Sequence, residues 1–483
     1  MPTVLGINCF AHDTAAALVR DGRPVAFVEE ERFNRDKHTK AFPDHAIDFC
    51  LREADLSIHE VDVIAFAHRA GVDYVRGLRD AVPRLPASAK RLVAQTYVDG
   101  MLVAKQRAFL RRRRYSGRVV NVGHHEAHAA SAFFASNFDR AAVLTLDRGG
   151  DFLSATMATG RGTDLREFRR VRNPDSLGEV YTAVTWWLGF HPNADEGKVM
   201  GLAPYGTDRL VPTFRRMVGP TDDGGFAVDL SWFRYHLEGR RPWSKRFEEH
   251  FGPPRVPESG LTDHHQDVAL GVQTVTEEMA VHVARALHKA TGMTNLTLAG
   301  GVALNSVMNA RILAETPFER IFVQPAAGDA GNALGAALHG WHRVLRGPRA
   351  WSMEHAFLGP EYDAVALKEV LNSNGLPFRE VADPAAEAAD LLARSKIVGW
   401  FQGRAEVGPR ALGARSILAD PRRAEMKNVL NDRVKHREGF RPFAPSVLDE
   451  YGAEWFERYA SSPFMLLVLP VRPDKRDRVP AIT

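Results

Sequence analysis

Residues 141–171 read AAVLTLDRGGDFLSATMATGRGTDLREFRRV, and their pattern decides the fold. An apolar run at 142–146 is long enough for a buried strand. It ends in an Asp-centred glycine turn from Asp147 to Asp151, followed by a second strand, the glycine turn around Gly160 and Gly162, and a third strand. Residues 5–32, LGINCFAHDTAAALVRDGRPVAFVEEER, carry a related pattern: apolar runs at 4–8 and 15–19, the Asp21-Gly22 hairpin signal and a last strand. Two such meanders separated by helical sequence predict a duplicated α/β domain with a cleft between its halves.

Between the meanders, 43–54 and 87–114 read as helices. The second ends in Arg111, Arg112, Arg113 and Arg114, a run that complements a helix dipole and reads as a solvated helix end rather than a nucleic-acid surface. After the second meander come two strand-to-glycine-to-helix units. One is NLTLAGGVALNSVMNARIL (295–313), turning at Gly300-Gly301, and the other is IFVQPAAGDAGNALGAALHGW (321–341), turning at Gly328-Asp329. Glycines at such turns let the backbone approach a nucleotide, with the helix N-terminus facing its polar groups. Neither unit matches GxGxxG or a P-loop. A domain boundary is expected at 346–360, giving domains 1–350 and 351–483. Beyond it the chain resumes as two helices, a strand and a basic segment.

That segment, GWFQGRAEVGPRALGARSILADPRRAEMKNVLNDRVKHREGFRPFAP (399–445), is unusual. From Trp400 to Arg441 it holds ten Lys or Arg against five acids, and the difference of +5 exceeds the +4 of the whole chain. Glycines and prolines interleave the cations, which favours a folded pocket of Arg forks and Lys charges for a small phosphate ligand.

Residues 124–128, HHEAH, follow a strand and open a helical run. His124 and His128 are four residues apart and share a helix face, so both can reach one ion. A metalloprotease HExxH is excluded, because Ala129 stands four residues after His125. Asp147 and Asp329, at strand-end turns, could complete a His2Asp2 set suited to Fe(II), Mn(II) or Zn(II). His12-Asp13 could point at the same cleft.

At 483 residues, 45% apolar and 25% charged, the chain has the composition of an ordinary soluble protein with two or three domains. Two cysteines, Cys9 and Cys50, cannot build a disulfide framework and fit a reducing cytosol. Nothing resembles a signal peptide or approaches the ~20 apolar residues of a membrane span.

Several stretches resemble the carbamoyltransferases of the nodulation and antibiotic-tailoring type: GINCFAHDTAAALVRDG, EEERFNRDKHTKAFP, HHEAHAASAFFAS, DEGKVMGLAPYG, GGVALNSVMN, AAGDAGNALGAA and the opening of the basic segment. They run in family order to about Val447. The resemblance implies a first domain similar to the threonylcarbamoyl transferase fold, within the actin-like/sugar-kinase ATPase superfamily, followed by a YrdC-like α/β domain. It implies ATP, Mg, Fe(II) or another divalent ion, and carbamoyl phosphate as co-substrate. Carbamoyladenylate would form from ATP with release of pyrophosphate, and the carbamoyl group would pass to a hydroxyl of a small natural product. By the same resemblance His124, His128, Asp147 and Asp329 match metal ligands, and His12 matches the base at the acceptor hydroxyl. Arg410, Lys435 and Arg441 match the carbamoyl phosphate site, with Arg415 and Arg437 nearby. Gly300, Gly301, Asn305 and Gly328 would line the nucleotide, with Glu196 and Lys198 bounding the cleft.

Two departures from the family pattern stand out. Arg148 replaces the glycine that many members carry after the ligand Asp, so an altered acceptor or phosphate contact, or a solvent-facing side chain, is expected there. The sequence stops at Thr483 where the family continues with further strands and at least one more basic active-site residue, so the second domain is expected to be incomplete. The aromatic-rich segment 207–260 is expected either to face the acceptor or to pack on the surface. The cytosol, a homodimer and no nucleic-acid or membrane partner are the remaining expectations. A tRNA threonylcarbamoyl transferase, a kinase or ATPase of the same superfold, and a binding protein with a degenerate site are the alternatives.

Overall fold

The computed structural model describes residues 1–9, 12–69, 75, 78–79, 82, 85–86, 88–237 and 241–483. Its chain divides into two compact units, Met1–Met353 and Glu354–Thr483.

Strand β1 (Thr3–Asn8) is uncharged and buried along its whole length. It pairs antiparallel with β2 (Ala15–Arg20), and β2 pairs with β3 (Arg23–Glu29). The turn between them uses Asp21 at φ +51° and Gly22 at φ +79°. That left-handed pair is what a two-residue hairpin needs to match the strand twist. β4 (Val63–Phe66) then joins β1 in parallel, and β5 (Arg118–Asn121) joins β4. Helices α1 (Asp44–Glu53) and α2 (Ala89–Arg112) lie before and after β4 in the chain. Ala87, expected to begin the second helix, lies outside the described residues. The arginine run at the end of α2 is tied to acids of α1: Arg113 pairs with Asp48 at 2.6 Å, and Arg112 with Asp44.

α3 (His124–Phe133) leads into the second half. Here β6 (Arg140–Gly150), β7 (Leu153–Arg161) and β8 (Asp164–Arg172) form the second meander, with an irregular register between Leu146 and Gly150. Helices α4 (Leu177–Trp187), α5 (Glu196–Leu202) and α6 (Asp263–Thr291) follow. β9 (Asn295–Ala299) adds parallel to β6, α7 (Ser306–Glu315) crosses over, β10 (Arg320–Val323) adds parallel to β9, and α8 (Gly331–His339) completes the half.

The first sheet has the order β3-β2-β1-β4-β5 and the second β8-β7-β6-β9-β10. Each is a meander extended from its first strand by two parallel strands. The chain thus adopts the duplicated actin-like α/β architecture.

Helix α8 packs with its backbone against its neighbours. A Cβ on Gly335 would stand 1.9 Å from the carbonyl oxygen of Ala127 on α3, and a Cβ on Gly6 of β1 would stand 2.0 Å from that of Ala333 on α8. Only hydrogen atoms fit at these crossings.

The aromatics of 207–260 take the packing role. Trp232, Phe233, Trp243, Phe247 and Phe251 are all buried, and Phe247 meets the fully buried Trp187 edge-on at 5.8 Å. The second unit contains antiparallel pairs of Phe357–Glu361 with Arg404–Glu406 and of Val398–Phe401 with Arg415–Leu418. Its helices Ala364–Ser373 and Pro384–Ala393 are capped by Asp363 and Asp383. Among the described residues, no helix is long and apolar enough to cross a membrane.

Gly335→Ala is expected to lower the thermal midpoint by an amount equivalent to about 1–3 kcal/mol of overpacking. Gly197→Ala, where a Cβ meets nothing within 4 Å, is expected to be neutral or mildly stabilising in the same melting experiment.

Candidate metal centre and anion site

Helix α3 starts immediately after β5, and its first N–H, on His124, donates to Asp151 Oδ2 at 2.6 Å. A carboxylate there satisfies an orphan donor and complements the helix dipole. One turn apart on this helix, His124 and His128 bring their Nε2 atoms to 3.1 Å. Asp147, near the end of β6, places Oδ2 3.1 Å from His124 Nε2. Asp329, in the turn between β10 and α8, places Oδ1 3.6 Å from His124 Nε2 and 3.7 Å from His128 Nε2. All four side chains are buried.

The spacing is that of a coordination shell. Four ligands at about 2.0–2.1 Å from a tetrahedral ion lie about 3.4 Å from one another; the four separations above run from 3.1 to 3.7 Å, and all four ligand atoms lie within 4.8 Å of one another. Without an ion the set must share protons. Burial works against a charge on His124, but Asp329 and Asp147 outweigh it and raise the imidazole to about 9. Asp147 is held well below the ordinary carboxylate range against its burial, by its bond to His124 and by the charge of His128. Two imidazoles and two carboxylates fit a borderline divalent cation, which would replace the shared proton.

The surroundings fix these ligands. Gly301 N–H donates to Asp147 Oδ1 at 2.8 Å and Gly149 N–H to Oδ2 at 3.2 Å. Gly300 sits at φ +96°, and a Cβ there would meet the Leu146 carbonyl at 2.1 Å. The Gly300-Gly301 turn, expected at the nucleotide, therefore also holds a metal-ligand candidate. His125 points elsewhere: its Nε2 donates to the Leu153 carbonyl at 2.9 Å, and its Nδ1 accepts from Thr145 Oγ1 at 2.7 Å. Burial drives it down to about 3, so it is a neutral structural residue.

The other expected residues spread around this centre. Asn305 caps α7, its Oδ1 accepting from Met308 N–H at 3.0 Å and its Nδ2 donating to Gln273 at 2.8 Å. Gly328 accepts the Gly331 N–H in the turn that carries Asp329. Glu196 accepts from Thr182 Oγ1 at 2.9 Å and from the Asn193 N–H at 2.8 Å, while Lys198 pairs with Asp195 at 3.2 Å. Arg148 is partly exposed, and its charge is favoured by Glu179, Asp147, Asp329 and Glu196 against the cost of burial. His12 Nδ1 lies 2.8 Å from Asp13 Oδ2, and the other oxygen of Asp13 lies 2.8 Å from His38 Nδ1. Burial lowers the basicity of His12, and Asp13 with Asp329 more than restores it, leaving the imidazole more basic than usual.

Sequence reading missed Asn332, Asp151 and His38. Asn332, fully buried, sits 3.2 Å from His128 Nε2. The available signal was its place one turn after Asp329.

In the second unit the cations divide into two kinds. Arg415 is engaged by Glu406 at 3.0 Å, Arg422 by Asp420 at 2.7 Å, and Arg404 by the carbonyls of Leu358 and Gly359, each at 2.9 Å. Glu406 itself is buried under the amides of Leu412 and Ala414. Lys435, Arg437 and Arg441 lie close enough to weaken one another, although Arg437 Nε donates to Asn431 Oδ1 at 2.8 Å and Arg441 lies 3.8 Å from Glu438. Burial first, then Arg437 and Arg441, depress Lys435, and burial with Arg441 depresses Arg437. Arg410 is depressed by burial. Cations that weaken one another would be favoured by an anion placed among them.

Comparison with known proteins decides the family. A model described as "Carbamoyltransferase N-terminus" matches residues 3–338, and one described as "Carbamoyltransferase C-terminus" matches residues 389–483. The chain belongs to the carbamoyltransferase family. It is 39% identical to an uncharacterized protein of Synechocystis, over 99% of this chain and 80% of that one. It is 38% identical to nodulation protein NolNO of Sinorhizobium fredii, over 99% of this chain and 68% of that one. Among solved structures, full-length HypF in its phosphate- and nucleotide-bound form covers 73% of this carbamoyltransferase with 56% of its own chain, at 12% identity and a TM-score of 0.37.

This carbamoyltransferase is expected to bind one divalent ion at His124, His128, Asp147 and Asp329. Because His124 is raised to about 9 without the ion, binding near pH 7.5 should release about one proton per ion. Calorimetry in buffers of different ionisation enthalpy measures that release. His128→Ala should abolish stoichiometric binding while leaving the fold intact.

Proposed function

We propose that this carbamoyltransferase is ATP-dependent and carbamoylates a hydroxyl group of a small molecule. The observation that carries the reading is the buried His124–His128–Asp147–Asp329 set, built where the two halves of an actin-like domain present their strand ends and turns. Ligands in open α/β sheets bind at such places. Carbamoyl phosphate, ATP, water and the acceptor alcohol would give the carbamate ester, AMP, pyrophosphate and phosphate, by way of carbamoyladenylate.

The chemistry divides between the units. In the second, Lys435, Arg437, Arg441 and Arg410 would hold the phosphate of carbamoyl phosphate while its bond to the carbamoyl group breaks. In the first, the glycine turns at Gly300-Gly301 and Gly328 would bring backbone N–H groups near the nucleotide. The metal, Fe(II) or another divalent ion, would supply Lewis acidity at the acyl or phosphoryl oxygen. His12 would accept the proton of the acceptor hydroxyl as its oxygen attacks the carbonyl and AMP leaves; its raised basicity suits that task near neutral pH. Two buried free thiols fit a reducing cytosol, and the acids bound to Arg112 and Arg113 favour a small-molecule partner over a nucleic acid.

Incubation of purified protein with iron, magnesium and ATP is expected to yield AMP and pyrophosphate only when carbamoyl phosphate is present, read by nucleotide chromatography. ADP as the product would transfer the reading to a kinase or ATPase.

A further inference from the structure

We infer that Asp13 and His38 are positioning residues for His12, joined in a His12–Asp13–His38 relay that fixes His12 in the tautomer with its lone pair on Nε2. This rests on the reading of His12 as the base of the transfer step.

The geometry is local, and both oxygens of Asp13 are bonded. Asp13 uses both carboxylate oxygens, accepting from His12 Nδ1 through Oδ2 and from His38 Nδ1 through Oδ1, each at 2.8 Å. The ionised carboxylate can only accept, so both Nδ1 atoms must carry hydrogens. In the neutral His12 ring the one remaining basic atom is then Nε2. A carboxylate held by a single ring could swing about its last torsion and let His12 rotate with it. The second bond, from His38, fixes the carboxylate plane and hence the ring that hangs on the other oxygen.

His38 is itself anchored. Its N–H donates to Glu31 Oε2 at 2.9 Å, and the other oxygen of Glu31 pairs with Arg32 at 3.0 Å. The next residue, Thr39, is buried, and its Oγ1 accepts from Asn34 at 3.0 Å and from the Ala41 N–H at 3.3 Å. At the other end, the Asp13 carbonyl accepts from Asn8 Nδ2 at 3.2 Å. Asp13 and His38 both occupy the left-handed region, at φ +52° and +58°, a conformation that side-chain-bearing residues keep when their surroundings impose it. Asp13, Glu31 and His38 also bring donor atoms within 4.8 Å, as a metal site would. Both carboxylates are satisfied, Asp13 by the two imidazoles and Glu31 by the His38 N–H and Arg32, while His38 Nε2 is buried without a hydrogen-bond partner among the described residues; the bonds present make a relay, and zinc titration tests the ion.

Nitrogen NMR of the histidine-labelled full chain, loaded with diamagnetic zinc and observed at alkaline pH, reads the tautomer directly. In the wild type, His12 Nδ1 should appear as a protonated, pyrrole-type nitrogen and Nε2 as a pyridine-type one. Asp13→Asn, whose amide can donate to His12, should exchange the two assignments. His38→Leu should leave His12 a mixture of tautomers. His38→Asn, whose amide nitrogen stands near the position of Nδ1, should restore the wild-type spectrum, which a merely structural role for the ring would not do. Thermal melting confirms that each variant is folded. An unchanged His12 tautomer in both Asp13→Asn and folded His38→Leu would overturn the relay. So would a second equivalent of zinc that moves His38 Nδ1 to a metal-bound shift. None of these readouts depends on carbamoyl chemistry, so failure of the relay and failure of the functional reading are distinguishable.

Discussion

The contact between helix α8 and helix α3 is the constraint on which the rest of the site depends. Gly335 lets the α8 backbone settle against the Ala127 carbonyl, and Gly6 lets β1 settle against Ala333. Ala127 lies between His124 and His128, and α8 begins just after Asp329. The glycine crossing therefore sets the distance between the two imidazoles and the second carboxylate. Nε2-to-Oδ1 separations of 3.6 and 3.7 Å would open with even a small shift of α8, and a metal shell tolerates about 0.5 Å of misplacement. A methyl group at Gly335 would have to displace one of the two helices.

Such a cluster does not arise for stability. Removing imidazoles and carboxylates from water costs several kcal/mol per ion, and a well-packed apolar set is often as stable. The surrounding structure nonetheless commits backbone amides to it: Gly301 and Gly149 to Asp147, and the first amide of α3 to Asp151. It also contains an internal contrast. His125, adjacent to His124, is held neutral between Thr145 and Leu153, while His124 is driven toward the cation by the acids it faces. One helix turn thus carries a structural histidine and two candidate ligands, separated by which face each occupies.

The duplication was legible because each meander carries its own hairpin chemistry, Asp21-Gly22 in the first and glycine turns in the second, and because the strands are short apolar runs with definite ends. The shared sheet order follows from the chain order of those elements. The convergence of the four candidate ligands was legible for a simpler reason: His124 and His128 sit at helical spacing, and Asp147 and Asp329 both stand at turns that follow strands. Residues whose role depends on tertiary approach were not legible. Asn305, expected at the nucleotide from GGVALNS, also caps α7 and bonds to Gln273 on α6, a partner the sequence does not show. The aromatics of 207–260 could have faced a ligand or a core, and composition does not separate these outcomes; Trp187, earlier in the chain, packs on Phe247 and Phe251. His38 escaped notice because its partner, Asp13, is remote in sequence and becomes a neighbour only when the 34–41 loop folds back.

The candidate sites of the two units carry charge of opposite sign. Asp147 and Asp329 beside Glu179 and Glu196 create a negative field strong enough to favour Arg148 despite its burial. A carbamoyl phosphate dianion brought into that field would be repelled at several ångströms, where a unit pair at an effective dielectric of ~20 interacts by a few kcal/mol. Lys435, Arg437 and Arg441 present the opposite situation: burial and neighbouring cations depress Lys435 and Arg437, and Glu438 offsets part of that charge. A divalent ion held by His124, His128, Asp147 and Asp329 would offset both carboxylates at once and so change the sign of the local balance.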